Sequence, residues 1–306
     1  MEPVREGPLL RARLLASGYR DEELRRMQSD GALVALRPGA YVPSTDARLR
    51  DPATRHALLV QAVVQQLSPG AAVSHVSAAV LHGLPLWEAP LDRVHVTRDR
   101  RSGGRRSRLL HLHAAALDAD EIVMASGVAV TSVARTLVDL ARVLPFEPAV
   151  VPVDAALHRG VVDRADLDDA VERARSRRGN SAARRVVAFA DGRSESVGES
   201  RSRVAIARCV LPVPVPQWEV RSDAGVLLGR VDFGWPELST VGEFDGRVKY
   251  GRLLRPGETA GDAVFREKRR EDDIRDAGER FVRWVWDDLD RFDRVAQRLR
   301  RAFGTP

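Results

Sequence analysis

Apolar residues recur at helical spacing near the start of the chain, where Leu9, Leu10, Leu14 and Leu15 form a stripe that Ser17-Gly18 closes. Asp21 is placed to cap a second helix, Glu22 to Gln28. The run Ala32 to Leu36, the pair Pro38-Gly39 and then Tyr41-Val42 read as two short strands around a tight turn. Helix, helix, hairpin is the order of a winged helix-turn-helix, expected over residues 1–50. Arg20, Arg25, Arg26 and Arg37 would then face DNA phosphates. A helical hairpin with a solvated basic face is the alternative on the local pattern.

A mixed α/β module is expected over residues 51–190. A helix from Thr54 to Gln66 leads into strands at Arg93 to Thr97 and Leu109 to Ala115. Ser132 caps a helix over Val133 to Val143, and Asp163 caps another that runs to Ser176. The connection 98–108 between the two strands carries six arginines against one aspartate, around two glycines. It reads as a mobile basic loop, either a solvated turn or a nucleic-acid arm, with Arg100, Arg101, Arg105 and Arg106 as candidate contacts. His111 and His113 share a strand face at metal-compatible spacing, but with no third ligand nearby they read as ordinary strand histidines. His75 and His82 read as helix-packing residues.

The polar stretch 191–196 marks the last boundary, and residues 191–306 follow an α/β pattern. Glu199 lies in a helix, Val197 to Cys209. Strands are expected at Gln217 to Arg221, Val226 to Phe233, Ser239 to Phe244 and Phe281 to Trp286. Between the last two runs a helix, Phe265 to Ala277, stopped by Gly278, and a helix from Leu289 to Phe303 closes the chain.

Composition bounds the rest. The 306 residues are 44% hydrophobic and 30% charged, the balance of a soluble globular protein. The uncharged run Ile122 to Ala134 is too short to span a bilayer, and the N-terminus shows no secretory signal, so a cytoplasmic protein without membrane contacts is expected. The single cysteine, Cys209, excludes an internal disulfide and reads as a buried inert thiol. A net charge of +6 favours a polyanionic partner. Only two of the 49 basic residues are lysines, Lys249 and Lys268, and both follow the acids described next.

Phosphodiester hydrolysis needs a divalent cation, and Mg²⁺ (or Mn²⁺) needs carboxylates converging on one point. Asp232 closes one expected strand and Glu243 the next; Asp245, two residues on, shares the face of Glu243. Glu199, on the preceding helix, would complete the set. A lysine suits a position beside a metal-bound hydroxide, because an ammonium is a compact charge whose pKa can shift.

The residues Glu199, Arg230-Val-Asp232-Phe, Glu243-Phe-Asp245-Gly246, Lys249-Tyr250-Gly251 and Glu267-Lys-Arg-Arg-Glu-Asp272 resemble the very-short-patch-repair-like branch of the PD-(D/E)XK nuclease superfamily, over residues 190–306. The resemblance implies a restriction-endonuclease-like core and magnesium-dependent DNA cleavage or nicking, with Asp232 and Glu243 as metal-binding acids and Glu199 as the helical acid. The family pattern places lysine two residues after the second acid, where this chain has Asp245; the lysine role then passes to Lys249 or Lys268, or is absent. Leu36-Arg-Pro-Gly-Ala-Tyr41, Val73-Ser-His-Val-Ser-Ala-Ala79 and His82-Gly83-Leu84 resemble the AbiEi-type antitoxins, which implies an operator-binding winged helix and a cognate toxin as partner. The expected function is DNA binding coupled to endonuclease activity in defence or repair. An antitoxin-like transcriptional repressor with an inert nuclease fold, and an RNA-directed toxin using the same site, are the alternatives.

Overall fold

Leu9–Leu10 forms a short strand, β1, and not the first turn of the following helix. The cause is tertiary: Leu9 pairs with Tyr41 and Leu10 with Ala40, which gives the expected hairpin a third strand. In this computed structural model residues 7–65, 67, 70–125, 127–246 and 259–304 are described, without the side chains of 260, 263 and 264. The architecture is mixed α/β. It divides into two compact units, Met1–Pro152 with Gly160–Phe189, and Val153–Arg159 with Ala190–Pro306.

In the first unit β1 is followed by α1 (Arg11–Ala16), α2 (Asp21–Ser29), β2 (Leu33–Arg37) and β3 (Ala40–Pro43). Asp21 opens α2 as its first helical residue, where its carboxylate pairs with Arg11 instead of capping the helix. The three strands make an antiparallel sheet in the order β1-β3-β2. Leu24 of α2 packs with Leu33 and Tyr41 beneath it, joined by Leu9, Leu14 and Leu15.

The chain continues through α3 (Pro52–Val64), β4 (Ala71–Val73), α4 (His75–Leu81), β5 (Val94–Asp99), β6 (Arg105–Arg106), β7 (Leu110–Ala115), β8 (Ile122–Ala125) and β9 (Val128–Thr131). It then runs through α5 (Val133–Val143), α6 (Phe146–His158), α7 (Arg164–Arg173) and α8 (Asn180–Phe189). Six strands form one mixed sheet in the order β6-β7-β5-β4-β9-β8, wider than the two strands the sequence pattern suggests. Within the basic loop, Arg105 and Arg106 pair with Leu112 and His111, so part of that loop is strand. Val60 and Val63 of α3 and Ala78 of α4 close over Val73, Val94, Val96 and Val130.

Arg135 on α5 is only 2% exposed. Its guanidinium donates to Glu121 at 2.6 Å, to Asp139 at 2.7 Å and to the carbonyl of Ala116 at 3.1 Å. Arg142 binds the other oxygen of Asp139 at 2.7 Å. Two carboxylates buried this deeply require that positive charge.

The second unit runs α9 (Val197–Arg208), β10 (Val215–Arg221), β11 (Leu227–Trp235), β12 (Thr240–Asp245), α10 (Ala260–Asp276), β13 (Arg280–Val285), α11 (Trp286–Leu289) and α12 (Asp293–Ala302). The sheet order is β10-β11-β12-β13. Its first three strands form an antiparallel meander, and β13 returns parallel to β12 through α10. Ala205 and Ile206 of α9, with Val295 and Leu299 of α12, pack on Phe233, Phe244 and Trp284. A separate cluster joins Ile274 of α10 to Val220, Val231, Val241 and Phe281. Gly198 lies so close to the Phe244 ring that a Cβ there would overlap it, which sets how near α9 approaches β12. The expected closing helix is two: α11 ends at Leu289, and α12 restarts at Asp293 after buried Phe292. Among the described residues no helix is long and apolar enough to cross a membrane.

Arg135→Met retains length and loses charge, leaving Glu121 and Asp139 without their shared partner. It should cost about 3–5 kcal/mol, read as a lowered urea midpoint. Arg173→Met removes exposed pairs with Asp120 and Asp169 and should leave the urea midpoint nearly unchanged. Equal effects from the two substitutions would remove the special role given to the buried arginine.

Candidate functional site

The helical acid Glu199 is 4% exposed and sits in the first turn of α9. Ser196 caps that helix: its Oγ accepts from the Glu199 backbone N–H at 3.2 Å and donates to Glu199 Oε1 at 2.7 Å. Oε2 accepts from the backbone N–H of Glu195 at 2.9 Å and from Gln217 Nε2 at 2.8 Å. Gln217 has φ +54°, uncommon for a residue with a side chain, and from that backbone its amide meets Glu199. No sequence pattern marks Gln217. Glu199 thus fastens the start of α9 to itself and to β10, the work of a capping residue.

Asp232 does not close its strand, because β11 runs three residues further, to Trp235. Phe233 pairs with Gly242 at the last described rung, and Asp232 and Glu243 are the next residues beyond it on the two strands. Asp232 Oδ2 accepts from the backbone N–H of Phe244 at 2.8 Å, so the half-buried acid reaches across to β12. The fold therefore makes Asp232 and Glu243 neighbours on adjacent strands, as their spacing suggested.

Glu243 is held by two arginines that the sequence does not single out. Arg270 of α10 donates to Oε1 at 2.5 Å, and Arg283, its register partner on β13, donates to Oε2 at 3.0 Å. Glu267 accepts from both guanidiniums at 2.6 and 3.1 Å, and Glu271 lies 3.3 Å from Arg283. Burial pulls the pKa of Arg270 and of Arg283 down; the surrounding carboxylates, Glu267 and Glu243 at Arg270 and Glu243 and Glu271 at Arg283, more than reverse this, and both end above the ordinary arginine value. Asp245 is half-buried opposite Val285 in the parallel ladder and, two residues from Glu243, lies on the same face. Lys268 is exposed on α10, and Lys249 lies outside the described residues.

Of the candidate DNA contacts, Arg20, Arg25 and Arg26 are exposed on and just before α2, and Arg100, Arg101, Arg105 and Arg106 are exposed around β6. Arg37 is different. Its Nε and Nη2 donate to the carbonyl of Ala62 at 3.0 and 2.8 Å, and Nη1 to that of Pro38, so it ties the hairpin to the last turn of α3. Its guanidinium is committed inward, where helix-end carbonyls attract a cation. Cys209 is half-buried, not buried, and burial raises its thiol pKa, which disfavours the reactive thiolate.

Among the described residues, the three side chains of His, Cys, Asp or Glu that gather as an ion-binding group are His75, His95 and His113, with ligand atoms within 4.8 Å of one another. The two partners that His113 lacks in its own segment come from β5 and from the start of α4. His75 therefore belongs to this cluster and not to helix packing. His82, by contrast, donates from Nε2 to the carbonyl of Thr131 at 2.8 Å, a packing role.

No family model matches the chain. It is 35% identical over 177 residues to two uncharacterized proteins of Mycobacterium tuberculosis, Rv2248 and MT2308, each from a different strain. The match covers 58% of this chain and 62% of the length of each relative. Among solved structures, the chain is similar to the crystal structure of the RV2827C protein from Mycobacterium tuberculosis, with 16% identity and a TM-score of 0.40 over 60% of this chain and 72% of that one.

Glu199→Ala deletes an acceptor that satisfies Gln217 and the Glu195 N–H. Stability should fall by about 1–3 kcal/mol, measured as a urea midpoint shift of the full chain. No shift would show that Glu199 is free for another task.

Proposed function

We propose that the protein binds DNA and cleaves or nicks it in a magnesium-dependent reaction. In this reading the second unit is a restriction-endonuclease-like domain and residues 1–50 are a winged helix-turn-helix. The observation that carries the catalytic half is the juxtaposition of Asp232 and Glu243 beyond the last rung between β11 and β12. The order helix, three-stranded meander, helix, parallel strand is the α/β frame that carries this pair. The donor set fits Mg²⁺ in kind, since two half-buried carboxylates on neighbouring strands supply hard oxygen ligands. A bound divalent ion would polarise the phosphodiester and lower the pKa of an attacking water. Arg270 and Arg283 balance the acids' charge and offer guanidiniums to phosphate oxygens, which Lys268, exposed on the helix surface, is less well placed to do.

The DNA-binding half rests on α1, α2 and the β2–β3 hairpin. Leu24 turns inward on α2 while Arg25 and Arg26 face solvent, as a recognition helix requires.

One observation favours a second reading. Both oxygens of Glu243 are bonded to arginines, and Asp245 stands where the family pattern puts lysine. A carboxylate held this way resists giving up its partners to a metal, which suits an antitoxin-like repressor with an inert nuclease fold and a toxin protein as partner.

Supercoiled plasmid incubated with the protein and Mg²⁺ or Mn²⁺, with and without EDTA, separates the readings. Cleavage that Asp232→Asn and Glu243→Gln each reduce at least about a hundredfold, a barrier change of about 2.7 kcal/mol, supports the enzyme. Metal-independent nicking, or nicking unchanged in both variants, removes it. In either reading DNA affinity should fall linearly in log–log form with salt. Alanine at Arg25 and Arg26 together should flatten that slope, whereas Arg37→Ala should act through stability. A salt series by fluorescence anisotropy checks both, and a slope that the double substitution leaves unchanged would take α2 out of the DNA interface.

A further inference from the structure

Four histidines meet in the first unit where α4 begins beside β5 and β7. The rings of His75 and His113 stack with centroids 3.8 Å apart and an interplanar angle of 13°. His95 lies 5.6 Å from His75 and 5.1 Å from His113 by ring centroid. His113 Nε2 and His95 Nδ1 face each other at 3.1 Å. In a tetrahedral site with bonds of 2.0–2.1 Å, two imidazole nitrogens sit about 3.3 Å apart. The His95–His113 pair is thus already at ligand spacing, and the His75 ligand atom is within 4.8 Å of theirs.

The surroundings prepare these rings to act as ligands. His75 Nδ1 is bonded to Ser74 Oγ at 3.0 Å, and Ser74 Oγ accepts from Thr97 at 2.8 Å, all three residues being buried. That contact occupies Nδ1 and leaves Nε2 as the atom for an ion; because stacked rings cannot aim two in-plane lone pairs at one point, the His75 or His113 ring turns about its Cβ–Cγ bond as the ion binds. Burial disfavours the charged form of all three imidazoles, the direction in which a ligating histidine must lie. His75 has φ +52°, a backbone conformation that costs energy for a residue with a Cβ and is found where the surroundings enforce it. Asp139, itself paired to Arg135 and Arg142, supplies the nearby negative charge that acts on His75.

We propose that His75, His95 and His113 form a transition-metal site, with zinc the physiological class of ion, independent of the carboxylates in the second unit. Three neutral imidazoles without a carboxylate among them suit zinc, cobalt, nickel or copper and not magnesium or calcium. Binding requires no net proton release: the imidazole that donates across the His95–His113 contact carries its proton on its other ring nitrogen instead, and both facing lone pairs turn to the ion. His111 is not a ligand in this assignment, because its Nε2 accepts from Arg106 Nε at 3.1 Å. His113 and His111 line a cavity of about 530 Å³ together with Arg101, Arg105 and Arg106. That cavity gives the ion a route in, and its cationic wall suits water or a small anion in the fourth position. An ion bound there would tie the start of α4 to β5 and β7, the strand that carries the basic segment around β6.

The test uses the full chain, stripped with chelator and titrated with zinc alone against a chromophoric competitor, and with Co²⁺ for its visible spectrum. We expect one ion per chain, a raised melting temperature and the absorption of tetrahedral cobalt. His75→Asn, chosen because asparagine tolerates positive φ, and His113→Gln should each weaken binding at least about tenfold, as loss of a ligand does, while His158→Gln should not. Equal affinity in the wild type and both cluster variants overturns the proposal. If a variant fails to fold, X-ray absorption of the zinc-loaded wild type decides. Three imidazole nitrogens at about 2.0–2.1 Å support the site, and a shell of carboxylate oxygens or one containing the Cys209 sulfur overturns it.

Discussion

A carboxylate withdrawn from water must be given a positive or hydrogen-bonding partner, and this requirement organises both units. Arg135 meets it for Glu121 and Asp139, Arg203 for buried Asp154, and Arg270 with Arg283 for Glu243. For Asp154 the compensation is incomplete: burial raises its pKa although Arg203 lies 2.8 Å away. The chain's wealth of arginine is therefore partly an internal resource. A guanidinium spans two acids at once with fixed geometry, as Arg135 does, and an ammonium does so less well.

The same requirement changes how the basic character of the protein is understood. The net charge of +6 suggests a surface for polyanions, yet Arg37, Arg135, Arg270 and Arg283 point into the structure. Exposed arginines remain on α2, where Arg25 and Arg26 stand beside three acids, and around β6, where Arg100, Arg101, Arg105 and Arg106 cluster. The units also differ in the chemistry they present. Oxygen donors balanced by arginine stand in the second unit, and imidazoles in the first, so one kind of ion would not suit both.

Much was legible in the sequence because it depends on local periodicity and capping. The β2–β3 hairpin, α5 behind Ser132, α7 behind Asp163, α9 and the strands of the second unit fall where apolar spacing and turn residues put them. The adjacency of Asp232 and Glu243 was also legible, since strands joined by a short turn must pair. What local pattern misreads has a tertiary cause. Leu9 and Leu10 fit a helical stripe but are taken by β3, and Asp232 seems to end a strand that a partner extends to Trp235.

The sequence by itself determined the mixed α/β class, the acidic pair and the positions of most helices, because these follow from side-chain period and near neighbours along the chain. Only the tertiary structure decided which charges meet. Arg270 reaches Glu243 across 27 residues and Arg283 across 40, while Gln217 reaches Glu199 from 18 positions away. His75, His95 and His113 come together because β4 and β7 flank β5 and α4 begins directly after β4. Contacts of that range are set by sheet order and register, which a one-dimensional pattern does not encode; His113 therefore shows no partner ligands until β5 and the start of α4 are placed beside it.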